Sequence, residues 1–198
     1  MTHPVSPRPL ILASTSRYRA ALLDRFGVAF TSQNPHVDET ARPGETPRGR
    51  AFRLAEAKAE AVAHAHPDAV VIGGDQVPAA STTILHKPGN AANCREQLKL
   101  LSGSTAEFYT ACTVRCLATG VKLSHVDTTA VKLRPLSDAE IDRYIEREQP
   151  FDCAGGFKAE ALGITLFERI DSEDPTAIVG LPLIWLASAL RAVGFAVP

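Results

Sequence analysis

The segment STSRYR, Ser14 to Arg19, combines hydroxyl and guanidinium groups in the way that phosphate-binding segments do. An apolar strand leads into it and a helix follows, so free backbone N–H groups and Ser14 can donate to an anion. Arg17 and Arg19 add full positive charges. The alternative is plain helix capping by Ser14 or Ser16, with solvated arginines.

The segment VVIGGDQV, residues 70–77, places Asp75 directly after two glycines. Ligands of open α/β sheets bind beyond the carboxyl ends of strands, so we expect this strand to end at Gly73 and to leave Asp75 accessible. A carboxylate with an ordinary pKa of ~3.9 is ionised there at neutral pH, and can activate water or hold a metal. The alternative is a turn aspartate that accepts from backbone N–H groups.

Three further segments carry charged residues that could contact a ligand. Lys87, in the turn HKPG, either reaches a phosphate or is a solvated surface lysine. Lys58 lies in the helical segment AEAKAEA, where a solvent-facing lysine is the plain interpretation. The glycine-rich segment 151–163, with Lys158 and Glu160, is either a ligand loop or a simple connection from helix to strand.

Several other chemistries are excluded on pattern. The sequence has no G-x-G-x-x-G, no G-x-x-x-x-G-K-[ST] and no G-x-S-x-G, so dinucleotide, P-loop and nucleophile-elbow sites are unsupported. Its four cysteines include no C-x-x-C pair, which argues against a zinc ribbon, and none of its histidines pairs with a Cys or carboxylate at metal-site spacing. Cys112 and Cys116 would share a strand face, and we expect free core thiols instead of a disulfide.

Composition places the chain among ordinary globular proteins. It has 198 residues, 45% of them apolar, and a net charge of −1, which argues against a nucleic-acid partner. Residues 1–9 do not resemble a signal peptide, and no apolar run reaches the ~20 residues of a membrane span. We therefore expect a cytoplasmic protein with no membrane partner.

The elements that must position these residues follow from periodicity and capping signals. Strands and helices alternate at both ends of the chain around a central hairpin, which predicts an α/β fold with a mixed twisted sheet flanked by helices. The loop 34–45 and the hairpin are expected to form a second lobe, with a ligand cleft between the lobes. The predicted strands are 9–13, 28–31, 69–73, 107–117, 121–133 and 164–170, with a β arm at 81–85; the predicted helices are 16–26, 46–66, 89–101, 137–148 and 175–193.

Taken together, the motifs resemble the Maf family of nucleoside triphosphate pyrophosphatases. The resemblance runs in order through LILASTSRYRAALL, VDET, RLAEAKAEA, VIGGDQV, HKPGN, LSGSTAEFYTA and PFDCAGGFKAEALGITLFERIDSEDPTAIVGLPL. It implies one Maf-like domain over residues 1–198, with a nucleotide cleft between two lobes. It also implies cleavage between the α and β phosphates with a divalent metal, Mg²⁺ or Mn²⁺.

The resemblance assigns roles residue by residue. Asp75 matches the proton acceptor and, with Glu39, an acidic position near the metal. The positions that match phosphate contacts are Ser14, Arg19, Lys58 and Lys87, and those that match base selectivity are Tyr18, Gln76 and Glu160. The β arm departs from the family pattern, because PAASTTIL replaces an apolar run with an Asp-Gly turn and His86 stands where glycine is common.

Gln76 and Glu160 resemble the branch that hydrolyses 7-methyl-GTP. The dTTP/UTP branch has Asp-Thr in place of Asp75-Gln76 and ends the glycine loop with Gln-Gly. The 7-methylguanine ring is cationic, so an aromatic face from Tyr18 or Phe157 would attract it, and Glu160 could accept from its N–H edge. The alternatives are a dTTP/UTP pyrophosphatase and a nucleotide-binding regulator of septum formation; the apolar last helix is compatible with a homodimer.

Overall fold

The structure of the protein is a computed structural model that describes residues 8–81 and 83–198. Strands and helices alternate along these ranges, as the periodicity predicts. The strands are β1 Leu10–Ala13, β2 Thr31–Ser32, β3 Val70–Ala80, β4 Thr83–Ile84, β5 Thr105–Cys116, β6 Val121–Leu133 and β7 Phe167–Asp171. The helices are α1 Arg17–Asp24, α2 Pro47–Ala65, α3 Ala91–Leu101, α4 Asp138–Glu148 and α5 Leu183–Ala192, with 3-10 turns at Leu162–Leu166 and Ala177–Val179.

The strands form one mixed sheet in the order β2-β1-β3-β5-β6-β7, with β4 paired to the end of β3. β1 runs parallel to β2 and β3, and the remaining pairs are antiparallel. The predicted mixed sheet flanked by helices is therefore confirmed. The predicted hairpin is confirmed as β5–β6, and it is continuous with the rest of the sheet.

The apolar core is divided into two main clusters that share this sheet. One cluster gathers β1, α1 and α5, with Leu12, Leu23 and Leu186 fully buried. The other gathers α3, α4 and the outer hairpin around Leu98 and Leu133. Burial of this apolar surface is the main force that holds each group of helices on the sheet.

The prediction that β3 ends at Gly73 is wrong, because the strand continues to Ala80. β5 pairs with it continuously from Val71 to Ala79, so a neighbouring strand sets its length. β1, in contrast, stops at Ala13, opposite Gly73. On that side, β3 therefore extends past the end of its neighbour and leaves an open edge.

Local capping signals are well reproduced. Thr46 caps α2, where its Oγ1 accepts from Gly49 N at 3.1 Å, and Pro47 is the first helical residue. The capping box of Ser137 and Glu140 starts α4 as predicted. Within the described ranges, the structure contains no helix that is both long and apolar enough to cross a membrane.

The predicted last helix, 175–193, is wrong at its start, because α5 begins only at Leu183. Gly180 has a φ of 135°, which ends the preceding 3-10 turn. The buried Asp174 carboxylate then accepts from Ile184 N at 2.6 Å, which satisfies a free N–H group of α5. The boundary therefore depends on a side chain outside the helix.

Two predicted strands are displaced by a few residues. The strand predicted at 28–31 is the two-residue β2, Thr31–Ser32. The strand predicted at 164–170 begins at Phe167, because the residues before it form a 3-10 turn. The β arm is present as β4, which has two residues.

The cysteines are free, as expected. Cys94, Cys112 and Cys116 are buried, and Cys153 is half-buried. Burial raises the pKa of Cys112 to about 12 and that of Cys94 to about 11, so both thiols stay protonated.

Candidate active site

A cavity of about 610 Å³ lies at the open edge of β3, beyond the last residue of β1. Its walls come from the start of α1, the loop 34–39, and the segment 151–160. It brings together every candidate site residue from the sequence: Ser14, Tyr18, Arg19, Glu39, Lys58, Asp75, Gln76, Lys87 and Glu160. Residues from distant parts of the chain therefore meet in one site.

The two glycines before Asp75 allow close packing on opposite faces of β3. A Cβ at Gly73 would overlap the Ala55 carbonyl oxygen and come within 2.6 Å of Ala59 N, so only glycine lets α2 approach this closely. A Cβ at Gly74 would come within 3.3 Å of Arg19 Nε on the other face. The glycines therefore bring α2 and Arg19 close to the strand, and they do not end it.

Lys58 is held between two carboxylates. Its Nζ donates to Asp75 Oδ1 at 2.7 Å and lies 2.6 Å from Glu39 Oε1. Lys58 and Asp75 are each only 6% exposed. The interpretation of Lys58 as solvent-facing and the expectation of an accessible Asp75 are therefore both wrong. Burying either charge alone would cost several kcal/mol, which their pairing offsets in part.

The two carboxylates differ in their affinity for protons. Burial raises the pKa of the Asp75 carboxyl, while the positive charges of Lys58 and Arg19 oppose the rise. At Glu39, burial also acts to raise the pKa, but the hydrogen bond and charge of Lys58 outweigh it and lower the pKa below its usual value. Arg19 and Lys87 add to that lowering. Asp75 is therefore the better proton acceptor of the two, and Glu39 the more firmly ionised.

The start of α1 is organised around Ser14 and Arg19. Ser16 is the residue that caps the helix, and Ser14 Oγ accepts from Ser16 N at 3.1 Å. Arg19 Nη1 reaches Ser14 Oγ at 3.4 Å, and its Nε donates to the Gly180 carbonyl at 3.1 Å. The guanidinium is thus fixed at the cavity wall by contacts from both ends of the chain.

Lys87 is exposed and lies on the cavity wall. Its turn is held by backbone contacts: Gly89 N donates to the Phe151 carbonyl at 3.0 Å, and Asn93 Nδ2 to the Pro88 carbonyl at 2.9 Å. The rigid turn presents the lysine to the cavity. The lysine is therefore solvated and also lines the site, and its contact with a phosphate stays a prediction.

Gln76 faces the opposite side of β3 from Asp75, as alternate strand residues do. Its Nε2 donates to the carbonyl oxygens of Ala177 at 3.1 Å and Ile178 at 3.0 Å, and to Thr110 Oγ1 at 2.9 Å. Gln76 thereby ties β3 to the 3-10 turn that leads into α5. Asp75, in contrast, contacts α2 through Lys58.

Of the two aromatic rings considered for the base, Phe157 is committed to the core. It is buried, with its ring centroid 5.4 Å from that of Phe108 and 4.9 Å from that of Phe167. Tyr18 lies on the cavity wall outside this cluster, and the exposed Glu160 also lines the cavity. Both rings line the cavity, but the Tyr18 ring is half-buried whereas the Phe157 ring is buried.

The segment 151–163 is held by an ion pair between its own Lys158 and Glu148, the last residue of α4. Lys158 Nζ donates to Glu148 Oε1 at 3.0 Å, and Leu162 N donates to Glu148 Oε2 at 3.0 Å. Lys158 N also donates to the Tyr144 hydroxyl at 3.1 Å. Lys158 thus fixes the loop that carries Glu160.

Sequence reasoning missed one carboxylate of the cavity. Asp152 Oδ2 accepts from the Tyr18 hydroxyl at 3.1 Å and from Arg17 Nη2 at 3.2 Å. It lies in the glycine-rich segment 151–163, and the unusual composition of this segment could have indicated Asp152 as a site residue. The loop residues Asn34 to Val37 also line the cavity, and they belong to the loop 34–45 that is predicted to border the ligand cleft.

The donor set fits a hard divalent cation that arrives with phosphates. Asp75 and Glu39 offer oxygen ligands within reach of one ammonium, and Mg²⁺ typically takes one or two carboxylates plus phosphate oxygens. In the part of the chain that the structure describes, no group of three or more His, Cys, Asp or Glu side chains could hold a metal by itself. Phosphate oxygens of a substrate and water molecules could complete the coordination of such a cation.

The mixed α/β fold is that of a Maf-like protein. The family model for Maf-like proteins matches residues 9–193, and the chain belongs to this family. A relative from Aromatoleum aromaticum is 51% identical over 96% of this chain and 97% of its own length, and is named 7-methyl-GTP pyrophosphatase. A relative with the same name from Xanthomonas axonopodis pv. citri is 52% identical over 96% of this chain and 98% of its own length. Another with this name, from Albidiferax ferrireducens, is 47% identical over 100% of this chain and 98% of its own length.

Proposed function

We propose that this protein is a nucleoside triphosphate pyrophosphatase that converts 7-methyl-GTP to 7-methyl-GMP and pyrophosphate, and so removes a modified nucleotide from the nucleotide pool. The observation that carries the proposal is the buried Lys58, held between Asp75 and Glu39 in a cavity that Arg19 and Lys87 also line. The names of the relatives support the choice of substrate.

The cationic residues suit a triphosphate. Arg19, Lys58 and Lys87 bring three positive charges to one cavity, and the Ser14 hydroxyl adds a donor. Phosphoryl transfer depends mainly on positioning and on stabilising the negative charge of the transition state. Because Lys58 is buried and Arg19 is fixed by Gly180, these donors need little rearrangement as the charge develops.

Asp75 is the proposed general base. A water oxygen forms the new bond to phosphorus while the bridging bond between the α and β phosphates breaks, and pyrophosphate leaves. Asp75 takes the proton of that water, and burial favours this because it raises the pKa of the carboxyl. Lys58 stays hydrogen-bonded to Oδ1 and keeps the carboxylate in place.

A divalent metal, Mg²⁺ or Mn²⁺, is the proposed cofactor, with Asp75 and Glu39 as its protein ligands. When bound, it supplies positive charge to the phosphate oxygens. Glu39 is suited to this role because Lys58 lowers its pKa and keeps it ionised. Lys58 occupies Oδ1 of Asp75, so Oδ2 is the oxygen that would be left for the metal or for the attacking water.

Tyr18, Gln76 and Glu160 are the proposed selectivity residues. The neutral Tyr18 ring would attract the cationic base by ~0.5–2 kcal/mol, and Glu160 would accept from its N–H edge. Gln76 would act by fixing the 3-10 turn and the adjoining wall. A neutral pyrimidine gains neither interaction, so dTTP or UTP is the second candidate.

We also infer a single domain over residues 1–198 and a cytoplasmic location. The family match over residues 9–193 supports the first. Four free cysteines support the second, because disulfides are rare in the reducing cytoplasm. A homodimer through α5 stays a prediction; Ile184 on this helix is exposed.

The test is a steady-state panel of 7-methyl-GTP, GTP, dTTP and UTP with Mg²⁺, with pyrophosphate and the nucleoside monophosphate as measured products. We expect the highest kcat/KM for 7-methyl-GTP, loss of turnover with a chelator, and recovery with Mg²⁺ or Mn²⁺. Asp75→Asn should abolish turnover and keep the fold, whereas the exposed Asp24→Asn should behave as the unchanged protein.

Three results would redirect the proposal. A higher kcat/KM for dTTP or UTP would select the second candidate. Release of orthophosphate instead of pyrophosphate would contradict the cleavage site. Tight nucleotide binding without turnover of any nucleotide would favour a regulator of septum formation.

A further inference from the structure

The positive charge of Arg17 already lies over the ring of Tyr18, and both residues line the cavity. Arg17 Cζ is 4.9 Å from the centroid of the Tyr18 ring. The same guanidinium donates from Nη2 to the Tyr18 hydroxyl at 2.9 Å and to Asp152 Oδ2 at 3.2 Å. The three side chains thus join the start of α1 to the segment 151–163 across the cavity mouth.

The chemistry of Tyr18 and Asp152 suits a planar cation. Burial raises the pKa of Tyr18 to about 12, so the phenol stays neutral and donates to Asp152. Burial acts to raise the pKa of Asp152, but the hydrogen bonds from Tyr18 and Cys153 and the charge of Arg17 together outweigh it, and the net pKa is below the usual value. A neutral ring beside an ionised carboxylate attracts a delocalised cation by both its quadrupole and its charge.

Arg17 is unlike the phosphate-binding Arg19. Two residues along a helix are about 200° apart, so the two side chains leave α1 on opposite sides. Arg19 is anchored to Gly180 and Ser14, whereas the side-chain hydrogen bonds of Arg17 go to Tyr18 and Asp152. The Arg17 side chain is 73% exposed, so it can leave this position for solvent at little cost.

We propose that Tyr18 and Asp152 form the subsite for the cationic 7-methylguanine ring, and that Arg17 fills this subsite until the substrate displaces it. The inference rests on the proposed function and adds a selectivity residue, Asp152, to it. The guanidinium and the methylated base share a planar shape and a delocalised positive charge. The unmethylated, neutral guanine lacks that charge and gains less from Asp152.

The test compares equilibrium binding of 7-methyl-GMP and GMP by calorimetry, because neither ligand contains the bond that is cleaved. Asp152→Asn keeps the shape and the acceptor for the Tyr18 hydroxyl but removes the charge. It should weaken 7-methyl-GMP binding by about threefold to tenfold and leave GMP within about twofold. Arg17→Ala should strengthen 7-methyl-GMP binding by up to about fivefold, because it removes the competing cation.

The controls are Asp24→Asn and Arg25→Ala, which make the same charge changes at the exposed far end of α1. Equal weakening of both ligands by Asp152→Asn would mean that Asp152 only shapes the loop, and it would overturn the inference. So would weakening of both ligands by Arg17→Ala, which would assign Arg17 to the phosphates. Thermal melting checks each fold, and Arg17→Ala carries the test if Asp152→Asn is unstable.

The two proposals fail in different ways. Absence of hydrolysis, with base discrimination intact, would refute the proposed function and leave the subsite standing. Hydrolysis of 7-methyl-GTP by an Asp152→Asn variant with unchanged selectivity over GTP would refute the subsite and leave the function standing.

Discussion

Gly73→Ala should damage the active site without touching any residue that contacts a ligand. The new Cβ would overlap the Ala55 carbonyl oxygen and lie within 2.6 Å of Ala59 N, and these are backbone atoms of α2 that cannot rotate away. The helix must therefore retreat from β3, and Lys58 moves with it. Overpacking of this kind costs about 1–3 kcal/mol of unfolding free energy.

The loss of catalysis should be comparable in free energy to the loss of stability. Lys58 Nζ lies 2.7 Å from Asp75 Oδ1, and a retreat of α2 lengthens that bond directly. A misplacement of about 1 Å can lower kcat by about 100-fold. Urea unfolding gives the stability change, and pyrophosphate release from 7-methyl-GTP gives kcat and KM.

The matched control is Gly74→Ala, one residue further along the strand. Its Cβ would meet Leu181 Cδ2 at 3.0 Å, the end of a flexible side chain, and Arg19 Nε at 3.3 Å. We expect a smaller stability loss and a change in substrate binding through Arg19. A Gly73→Ala protein with unchanged kcat and unfolding midpoint would refute the view that glycine is needed for the contact between α2 and β3.

The remaining predictions concern charge. Lys58→Met leaves Asp75 buried without its cation, so it should cost about 3–5 kcal/mol of unfolding free energy at neutral pH. The cost should be smaller in acid, where Asp75 takes up a proton. A melting temperature equal to that of the unchanged protein at neutral pH would contradict this. Asp75 must be ionised to act as a base, and burial raises its pKa. In a pH–rate profile, the acid-side loss of kcat/KM should therefore begin at a higher pH than for an ordinary Asp. Lys58→Met should shift this loss to a still higher pH. Arg53 holds the pKa of Glu45 at about 2, below its unfolded value, so this pair adds stability at neutral pH that is lost as pH falls from the unfolded pKa toward about 2. Glu45→Gln should flatten that part of the curve of unfolding free energy against pH, and an unchanged slope would show that the pair contributes nothing.

Features that depend on neighbours along the chain could be predicted from the sequence. The Thr46–Pro47 start of α2 and the Ser137 capping box follow from local hydrogen bonds, and both are confirmed. The mixed sheet follows from the alternation of elements and the hairpin. The set of residues that line the cavity could be predicted from the family motifs alone, because no local sequence pattern connects Lys87 to Asp75.

Features that depend on distant packing could not be predicted in this way. The length of β3 is set by its pairing with β5, and the start of α5 by the Asp174 carboxylate. The burial of Asp75 depends on α2, which is close only because Gly73 has no side chain. Apolar periodicity does not encode any of these contacts. It therefore predicts that β3 ends too early and that Asp75 is accessible.

The opposite orientations of Asp75 and Gln76 separate two tasks within adjacent residues. Asp75 contacts Lys58 on the α2 side of the sheet, whereas Gln76 contacts the 3-10 turn at Ala177–Val179 on the other side. Substitutions around Gln76 can therefore accumulate without disturbing the hydrolytic pair. With Gln76 in the proposed selectivity role and Asp75 as the proposed base, such a chain could exchange one nucleotide for another during evolution, or in a laboratory redesign, while its hydrolytic chemistry stays the same.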